Sequence, residues 1–276
     1  MSTFEAPPGL VALTSPGSFR IETTMALIAA SKFAQHKNMG LDYQHFGGSL
    51  VDKARNDACR TMLSRNYGYL LFIDGDMTFP EDAFQRIVHT AYARYPHFDV
   101  LGGLCHLRGG CIPTIDTGTG TWESHYAGSG VLEVIRTGAA FLLVKRHVLE
   151  KMAGPWFACR FPQRWLDSLL EIDNFARTKF HGTNPLRDVP GNVWDTLMVA
   201  AGNDNQSQKQ TAPNYEIGED SGFCDRAKAM GFRIAVDTDL PCGHIDTMIL
   251  DSAEHKRRME DRDEEARLLY GVLREV

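Results

Sequence analysis

The sequence predicts an α/β protein with one Rossmann-like domain, in which a mostly parallel central sheet carries helices on both faces. Strand-like and helix-like patterns alternate along the 276 residues, as in proteins built on parallel sheets. The clearest strand pattern, at 69–73 (YLLFI), is apolar throughout, which is typical of a strand buried on both faces. The chain is 43% hydrophobic and 23% charged, which fits a globular protein and excludes a disordered or collagen-like one.

Short apolar runs predict the strands, and apolar residues spaced by three or four predict the helices. In chain order, the predicted elements are strand 10–14, helix 22–36, strand 41–46, helix 51–65, strand 69–73, a helix that begins near residue 80, strands 99–104, 131–136 and 140–145, helix 147–152, helix 219–230, strand 233–236 and a charged C-terminal helix in 251–276.

Three local patterns add detail to the helices. Thr78-x-x-Glu81 resembles a capping box at the start of the third helix, and Gly231 is predicted to end the helix that begins at residue 219. The core-facing stripe of the first helix is predicted to contain Met25, Ile28, Ala29 and Phe33.

Residues 1–250 are predicted to form one domain, followed by the charged helix. Within that domain, residues 154–214 are rich in proline, glycine, asparagine and aromatic residues and show little periodicity. A segment of this length without clear elements is usually a functional loop or lid, or contains helices that the pattern does not resolve.

Composition and patterning exclude several classes of protein. The formal net charge of −6 argues against a protein that coats DNA, although a local basic groove stays open. The apolar runs fall well short of the roughly 18 residues that a membrane span needs, and no basic region precedes an apolar core at the start. The six cysteines form no CxxC pair, which is typical of reduced thiols. We therefore expect a cytoplasmic protein with no membrane span.

The strongest chemical signal is the sequence YLLFIDGDM, in which two carboxylates follow the buried strand. In α/β sheets, ligands bind at the carboxyl ends of the strands. Asp74 and Asp76 are two residues apart, so in extended chain they face the same side. A divalent cation would relieve their repulsion, and hard oxygen ligands favour Mg²⁺ or Mn²⁺. The alternative is a turn in which both aspartates only accept backbone N–H groups.

Two further signals come late in the chain. Glu219 and Asp220 open a predicted helix, where the helix dipole stabilises carboxylates, and one of them could serve as a general base. His244 is predicted to lie in a turn beyond strand 233–236, and Asp246 could orient one of its ring nitrogens. A purely structural role is the alternative for each of these residues.

These motifs in this order resemble the GT-A-fold glycosyltransferases, and most of all the small soluble family-2-like members, which include virus-encoded ones. The resemblance spans about residues 10–250. It is carried by DGD (74–76), TGAAFLLVKR (137–146), GED (218–220) with DRAKAMGFRIAVD (225–237), and PCGH (241–244). It implies a donor substrate that is a nucleotide-diphosphate sugar, with Mn²⁺ or Mg²⁺ as cofactor.

The resemblance also implies roles for individual residues. Asp76 would bind the metal, Asp74 the ribose or the metal, and His244 would be a further metal ligand. Asp220 would be the catalytic base of an inverting reaction, with Glu219 beside it.

Other residues are candidate contacts of the nucleotide. The helix at 51–65 would point Arg55 or Asn56 at the nucleotide, and Ser15, after the first strand, is a further candidate. For Arg55, and likewise for Arg60, a salt-bridged position on the helix surface is the alternative.

Two features depart from the family pattern. Neither Asp42 nor Asp52 clearly fits the acidic residue that often holds the nucleobase after the second strand. The stretch Gln163-Arg164-Trp165 precedes the acidic pair and lacks the spacing of the processive synthases, so a non-processive enzyme is expected.

Other functions stay open. Asp74-x-Asp76-x-Thr78 also fits the nucleophile motif of haloacid-dehalogenase-type phosphatases, in which Asp74 would be phosphorylated. That strand normally opens the domain of such enzymes, whereas here at least one strand precedes it. A non-catalytic nucleotide-binding module is a third possibility. For a transferase, the sequence leaves the acceptor open among a polysaccharide, a protein, a small molecule and a hydroxymethylated DNA base.

Overall fold

The computed structural model of the protein describes residues 6–15, 17–47, 50–107, 112–120, 122–123, 129–158, 218–245 and 249–250. Most of the predicted 154–214 loop, Asp246, the stretch 163–165 and the charged helix in 251–276 lie outside the described residues. The division of the chain into a domain at 1–250 and a C-terminal helix stays a prediction.

The described residues form twelve strands and five α-helices. In chain order they are β1 (Gly9–Ser15), α1 (Ile21–His36), β2 (Leu41–Gly47), α2 (Val51–Ser64), β3 (Tyr69–Asp74), β4 (Met77–Thr78), α3 (Ala83–His89, continued by a π-helical turn at Thr90–Arg94), β5 (Val100–Leu104), β6 (Ile115–Asp116), β7 (Val131–Val134), β8 (Arg136–Thr137), β9 (Phe141–Lys145), α4 (Arg146–Lys151), α5 (Glu219–Ala229), β10 (Ile234–Pro241), β11 (Gly243–Ile245) and β12 (Ile249–Leu250).

Seven of the described strands form the central sheet, in the spatial order β2-β1-β3-β9-β5-β10-β7. Strands β2, β1, β3, β5 and β10 run in one direction, while β9 and β7 run against their neighbours. Strand β3 lies inside the sheet, and its residues 69–73 are fully buried, as the apolar run predicts. The predicted mostly parallel sheet is therefore confirmed.

The helices cover both faces of this sheet, because alternate residues of each strand point to opposite sides. Leu10 and Ala12 of β1 pack into a cluster with residues of α2, α4 and α5. Val11 packs into a second cluster with residues of α1 and α3. The predicted α/β class with helices on both faces is confirmed, and no helix in the described part of the chain is long and apolar enough to cross a membrane.

The predicted core-facing stripe of α1 is wrong. Met25 is 60% exposed and Ile28 is 45% exposed, whereas the buried residues of the helix are Thr23, Ala30 and Ala34. The helix packs on the sheet through its small side chains, which allow a close approach. Spacing alone could not distinguish this face from the neighbouring one, which carries the larger apolar residues.

A small second sheet lies beside the end of β3. It contains β4, β11 and β12, and pairs His244 with Met77 and Gly243 with Thr78. His244 therefore lies on a strand and not in the predicted turn. The same pairing explains why the predicted capping box is wrong: Thr78 belongs to a strand, and α3 begins only at Ala83.

Helix α5 begins and ends as its sequence predicts. Gly218 is the N-cap, and the first turn carries both acidic residues, where the helix dipole favours negative charge. After the helix, Gly231 adopts a φ of +84°, a left-handed conformation that glycine takes without steric cost. The chain then turns directly into β10.

Candidate functional site

The site lies at the carboxyl ends of β1 and β3, which run side by side. Thr14 on β1 is in register with Asp74 on β3. Between these strand ends and the start of α1 lies a cavity of about 880 Å³, large enough for a drug-sized or nucleotide-sized ligand. It is lined by Thr14, Ser15, Ser18, Phe19, Arg20, Ile21, Glu22, Val51, Ala54, Asp74, Gly75 and Asp76.

Gly75 lets the chain turn tightly between the two aspartates. Its N–H donates to the Thr14 carbonyl at 2.8 Å, and its carbonyl accepts from the Arg20 N–H at 2.9 Å. A β-carbon at this position would lie 2.9 Å from the Ser15 β-carbon. The middle residue of the DGD motif therefore has no room for a side chain, and the turn fixes Asp74 and Asp76 against the end of β1.

Asp74 is held by two side chains. The Thr14 hydroxyl donates to Asp74 Oδ1 at 2.5 Å. Nη2 of Arg55 lies 3.0 Å from each of the two Asp74 oxygens. These charge-assisted bonds fix the orientation of the carboxylate. The alternative in which Asp74 binds only backbone N–H groups is therefore wrong.

Arg55 is buried in the site and does not lie on the helix surface. Only 3% of the residue is exposed, and its Nη1 donates to Glu219 Oε1. The surface alternative holds instead for Arg60 on the same helix, which is paired with Asp57 and whose side chain is 47% exposed. Arg55 thus brings Asp74 and Glu219 together, although they lie far apart in the sequence.

Glu219 and Asp220 have different surroundings in the first turn of α5. The Glu219 side chain is paired with Arg55 and is only 14% exposed. Burial raises the pKa of the Glu219 carboxyl, the Arg55 charge opposes this, and the charges of Asp220 and Asp74 add to the rise. Asp220 Oδ1 accepts the N–H of Ser221 at 2.7 Å. Glu219 is therefore committed to an ion pair, whereas Asp220 is not paired with a described cation at salt-bridge distance.

Asp76 and His244 face each other across the small sheet. His244 Nε2 lies 3.3 Å from Asp76 Oδ2, and the Ile245 N–H donates to the Asp76 carbonyl at 2.8 Å. The other ring nitrogen of His244, Nδ1, lies 3.0 Å from the carbonyl oxygen of His106. We assign the hydrogen to Nδ1 on this basis. Asp246, which is predicted to orient the ring, lies outside the described residues.

The three predicted metal ligands do not converge on one point. Asp76 and His244 make a two-residue pair, while Asp74 is turned towards Arg55. Among the described residues, no group of three or more histidine, cysteine, aspartate or glutamate side chains forms a preformed metal centre. Beyond the ligands that the described residues offer, Mg²⁺ commonly takes oxygen atoms of its substrate and water.

Two other predicted contacts are used within the protein. Ser15 lines the cavity, and its hydroxyl donates to the Ser18 carbonyl at 2.6 Å. Asn56 is buried, and its amide oxygen accepts the N–H groups of Trp156 and Phe157. Both residues stay predictions as nucleotide contacts.

The nucleobase candidates do not meet at the cavity. Asp42 lies near the start of β2, away from the strand ends that form the site, and accepts a hydrogen bond from the Tyr67 hydroxyl at 2.6 Å. Asp52 accepts the N–H of Lys53 in the first turn of α2.

Three residues that hold predicted site residues in place were not predicted from the sequence: Thr14, His106 and Phe157. Thr14 could have been found, because parallel strands bring their carboxyl ends together and Thr14 ends the first apolar run. His106 contributes only a backbone carbonyl to His244, which carries no residue-specific signal. Phe157 lies under the Arg55 guanidinium, with 5.8 Å from Cζ to the ring centre, and comes from a segment without periodicity.

No protein-family model and no curated protein matches the chain. Solved structures do. A197 from STIV is 18% identical, with 87% of this chain and 86% of that chain covered and a TM-score of 0.50. A glycosyltransferase involved in the glycosylation of the major capsid of PBCV-1 is 13% identical, with 54% and 69% covered and a TM-score of 0.28. S. aureus TarS in complex with UDP-GlcNAc is 16% identical, with 52% and 47% covered and a TM-score of 0.32.

The likeness to A197 extends over most of both chains and shows a shared fold. Glycosyltransferases are among the solved structures similar to the chain. The α/β fold predicted from the sequence is confirmed by the sheet and the helices described above.

Proposed function

We propose that this protein is a metal-dependent glycosyltransferase that moves a sugar from a nucleotide-sugar donor to a hydroxyl group of an acceptor. One observation carries the proposal. The carboxylates of the DGD turn line a cavity at the ends of β1 and β3, and Arg55 joins one of them to the acidic pair of α5. A donor-binding acid and a candidate base therefore belong to the same site, as a transfer reaction needs.

The cavity supports a nucleotide diphosphate as the donor's leaving group. Its volume of about 880 Å³ suits a ligand of that size, and it lies where α/β sheets bind nucleotides. Both Asp74 oxygens already accept hydrogen bonds, and a carboxylate held in this way can still accept from a ribose hydroxyl. We therefore propose that Asp74 binds the ribose and that Ser15 also contacts the nucleotide part of the donor.

The pair of Asp76 and His244 fits a divalent cation. Mg²⁺ is commonly held by one or two protein ligands, with phosphate oxygens and water completing its shell. Because Nδ1 of His244 faces a carbonyl, a neutral ring offers the Nε2 lone pair beside Asp76. A bound Mg²⁺ or Mn²⁺ would supply positive charge that stabilises the diphosphate leaving group.

Asp220 is the proposed general base. Attack of a hydroxyl group on the anomeric carbon requires the hydroxyl proton to leave as the new bond forms. Asp220 lies in the first turn of α5, where the helix dipole favours negative charge, and Glu219 is occupied with Arg55. With this base the reaction is inverting, and we propose a non-processive enzyme. Polysaccharide, protein, small-molecule and hydroxymethylated DNA acceptors all offer such a hydroxyl group.

A donor screen tests the proposal. The full chain is incubated with a panel of nucleotide sugars and Mn²⁺, Mg²⁺ or EDTA, and the release of nucleoside diphosphate is followed. We expect release with at least one donor, stimulated by metal and lost in Asp76→Ala. Asp57→Ala, which changes an exposed carboxylate of α2, is the matched control and should keep the activity. Absence of metal-stimulated release across the panel would count against the function.

A further inference from the structure

A single guanidinium connects the two acidic parts of the site. Arg55 Nη2 lies 3.0 Å from both oxygens of Asp74, and Nη1 donates to Glu219 Oε1. Asp74 ends β3, while Glu219 begins α5, and the sequence separation between Arg55 and Glu219 is 164 residues. Among the described residues, Arg55 is thus the cation that lies between the cavity and the acidic first turn of α5.

The packing around Arg55 keeps the guanidinium in this place. The residue is 3% exposed, and its guanidinium lies over the Phe157 ring. Phe157 in turn stacks on Phe223 of α5, with ring centres 4.5 Å apart and planes 6° from parallel. Moving the guanidinium towards another partner would break two ion pairs and leave a buried charge unpaired, which is costly.

The planar fork of arginine suits this role better than a lysine ammonium would. Arginine presents several N–H donors in fixed directions, so it can bind two carboxylates at once, whereas an ammonium acts as a point charge. The side chains of Asp74 and Glu219 are 24% and 14% exposed, so both still border solvent, and Asp74 lines the cavity.

We infer that Arg55 is a positioning residue, which fixes the start of α5, and with it Asp220, relative to Asp74 by binding Glu219 and Asp74 together. The inference rests on the proposed function, because a positioning role for Arg55 has meaning only if the protein transfers a sugar. It differs from the interpretation of Arg55 as a nucleotide contact, since the guanidinium acts here through two carboxylates and not on the donor.

The two roles predict different kinetics. A direct nucleotide contact contributes to donor binding, so its loss raises the donor Kd. A positioning residue acts on the alignment of base, acceptor and donor, so its loss lowers kcat. Misplacement of a reacting group by about 1 Å can cost roughly 10²-fold in rate.

The bridge itself is tested by double-mutant cycles that need no turnover. Urea unfolding is measured for Arg55→Met, Glu219→Gln, Asp74→Asn and the two doubles that contain Arg55→Met. Arg55→Lys replaces Arg55→Met if the latter does not fold. We expect Arg55 to be coupled to both acids by roughly 10- to 100-fold in the unfolding equilibrium constant. The control cycle uses Arg60→Met with Asp57→Asn, an exposed pair on the same helix, and should give less than about fivefold.

The catalytic part is tested on Arg55→Lys in the full chain, with kcat and donor Kd measured separately. We expect kcat to fall about 10²-fold and donor Kd to rise by a smaller factor, because Arg55 also orients the Asp74 carboxylate that is proposed to bind the ribose. In a Glu219→Gln background, Arg55→Lys should lower kcat little further, because Arg55 acts through Glu219. Arg60→Lys should leave both constants unchanged.

Three results would overturn the inference: coupling of Arg55 to only one acid, a raised donor Kd with unchanged kcat, or independent effects of Arg55→Lys and Glu219→Gln on kcat. A wild-type chain without turnover on any donor would refute the transferase function together with the catalytic part of the inference. The unfolding cycles would still decide whether Arg55 joins the two carboxylates.

Discussion

Thr14 Oγ1 lies 2.5 Å from Asp74 Oδ1 and donates a hydrogen bond that joins the carboxyl ends of β1 and β3. Thr14 is 2% exposed, so the donor of this bond is shielded from water, while the Asp74 side chain is 24% exposed. Together with Arg55, the threonine leaves Asp74 a single orientation at the edge of the cavity. The first aspartate of the DGD turn is therefore fixed by the protein before any ligand binds.

Thr14→Val tests the energy of this bond. Valine has nearly the shape of threonine but lacks the hydroxyl, so the partly exposed Asp74 carboxylate loses one donor. Hydrogen bonds to charged groups contribute about 1.5–3 kcal/mol, and we expect a loss of that size in the free energy of unfolding. Urea unfolding measures it. Thr24→Val removes a hydroxyl that donates to a carbonyl at the exposed start of α1, and should cost far less. Equal losses in the two variants would contradict a special role of Thr14.

Asp76→Ala should abolish metal-dependent nucleotide binding without unfolding the protein. Asp76 and His244 form the pair proposed to hold the cation, and Asp76 is the carboxylate of that pair. Calorimetric titration of a nucleoside diphosphate, with and without Mn²⁺ or Mg²⁺, measures the effect. His244→Ala should weaken the metal-dependent part as well, whereas Asp57→Ala should not. Undiminished metal-stimulated binding by Asp76→Ala would remove this residue from the metal site.

Asp220→Asn should lower kcat by about 10²–10⁴-fold, the usual loss when a general base is removed, while the donor Kd changes little. Glu219→Gln should have a smaller effect, because its carboxylate positions the site and does not accept the proton. Steady-state kinetics, donor binding and the anomeric configuration of the product by NMR are the measurements. A near-wild-type kcat in Asp220→Asn, or a loss confined to donor binding, would exclude Asp220 as the base.

The stability of the protein should depend on pH through Glu219. Burial raises the pKa of this carboxyl above its ordinary value of 4.5. In the pH range between that value and the raised one, the folded state binds more protons than the unfolded state, so stability falls as pH rises. Glu219→Gln removes the contribution of this carboxyl to the pH dependence of stability. The free energy of unfolding of the variant, relative to wild type, should therefore rise as the pH increases above 4.5.

Urea unfolding of both proteins at a series of pH values measures this difference. Titrating groups far from Glu219 cancel in the comparison, because their surroundings are the same in both proteins. The measured difference includes the neighbours Asp220 and Asp74, whose charges act on Glu219. A difference that stays flat, or that falls with increasing pH, would show that Glu219 has no raised pKa in the folded protein.

Asp74 should not form a phosphoenzyme. An aspartate nucleophile attacks phosphorus with a charged oxygen, but the Asp74 carboxylate is paired with Arg55 through both oxygens and accepts a bond from Thr14, which lowers its nucleophilicity without preventing a hydrogen bond from a ribose hydroxyl. Incubation with Mg²⁺ and acetyl phosphate, followed by mass spectrometry of the peptide that contains Asp74, tests this. A phosphorylated Asp74 would favour a phosphatase of the haloacid-dehalogenase type over a glycosyltransferase.

The sequence predicts those parts of the site that are formed by residues close together in the chain. The apolar strand before Asp74 places the DGD turn at a sheet end, and the acidic first turn of α5 follows from Gly218 and the two carboxylates. The bridge from Arg55 to Glu219 could not be predicted in the same way. Helical spacing tells which face of α2 is buried, but it does not tell which acid, far away in the chain, will meet a buried arginine.

Local signals also fail where a distant strand competes for the same residues. Thr78-x-x-Glu81 has the pattern of a capping box, yet Thr78 pairs with Gly243 in the small sheet. The pairing residue comes 165 positions later in the chain, with a hydrogen bond from the Thr78 hydroxyl to the Gly243 carbonyl. On α1, in the same way, the sheet selects the small residues Ala30 and Ala34 over Met25 and Ile28.

The interior position of β3 has a consequence for hydrogen exchange. Its residues 69–73 are fully buried and are paired with β1 on one side and β9 on the other. Amide protons in such a strand exchange with solvent only when the whole domain opens, whereas those near loops exchange through local fluctuations. The slowest amides of Leu70, Leu71 and Phe72 should therefore report the global opening of the native protein, and their exchange rates offer an internal standard against which every site variant can be compared.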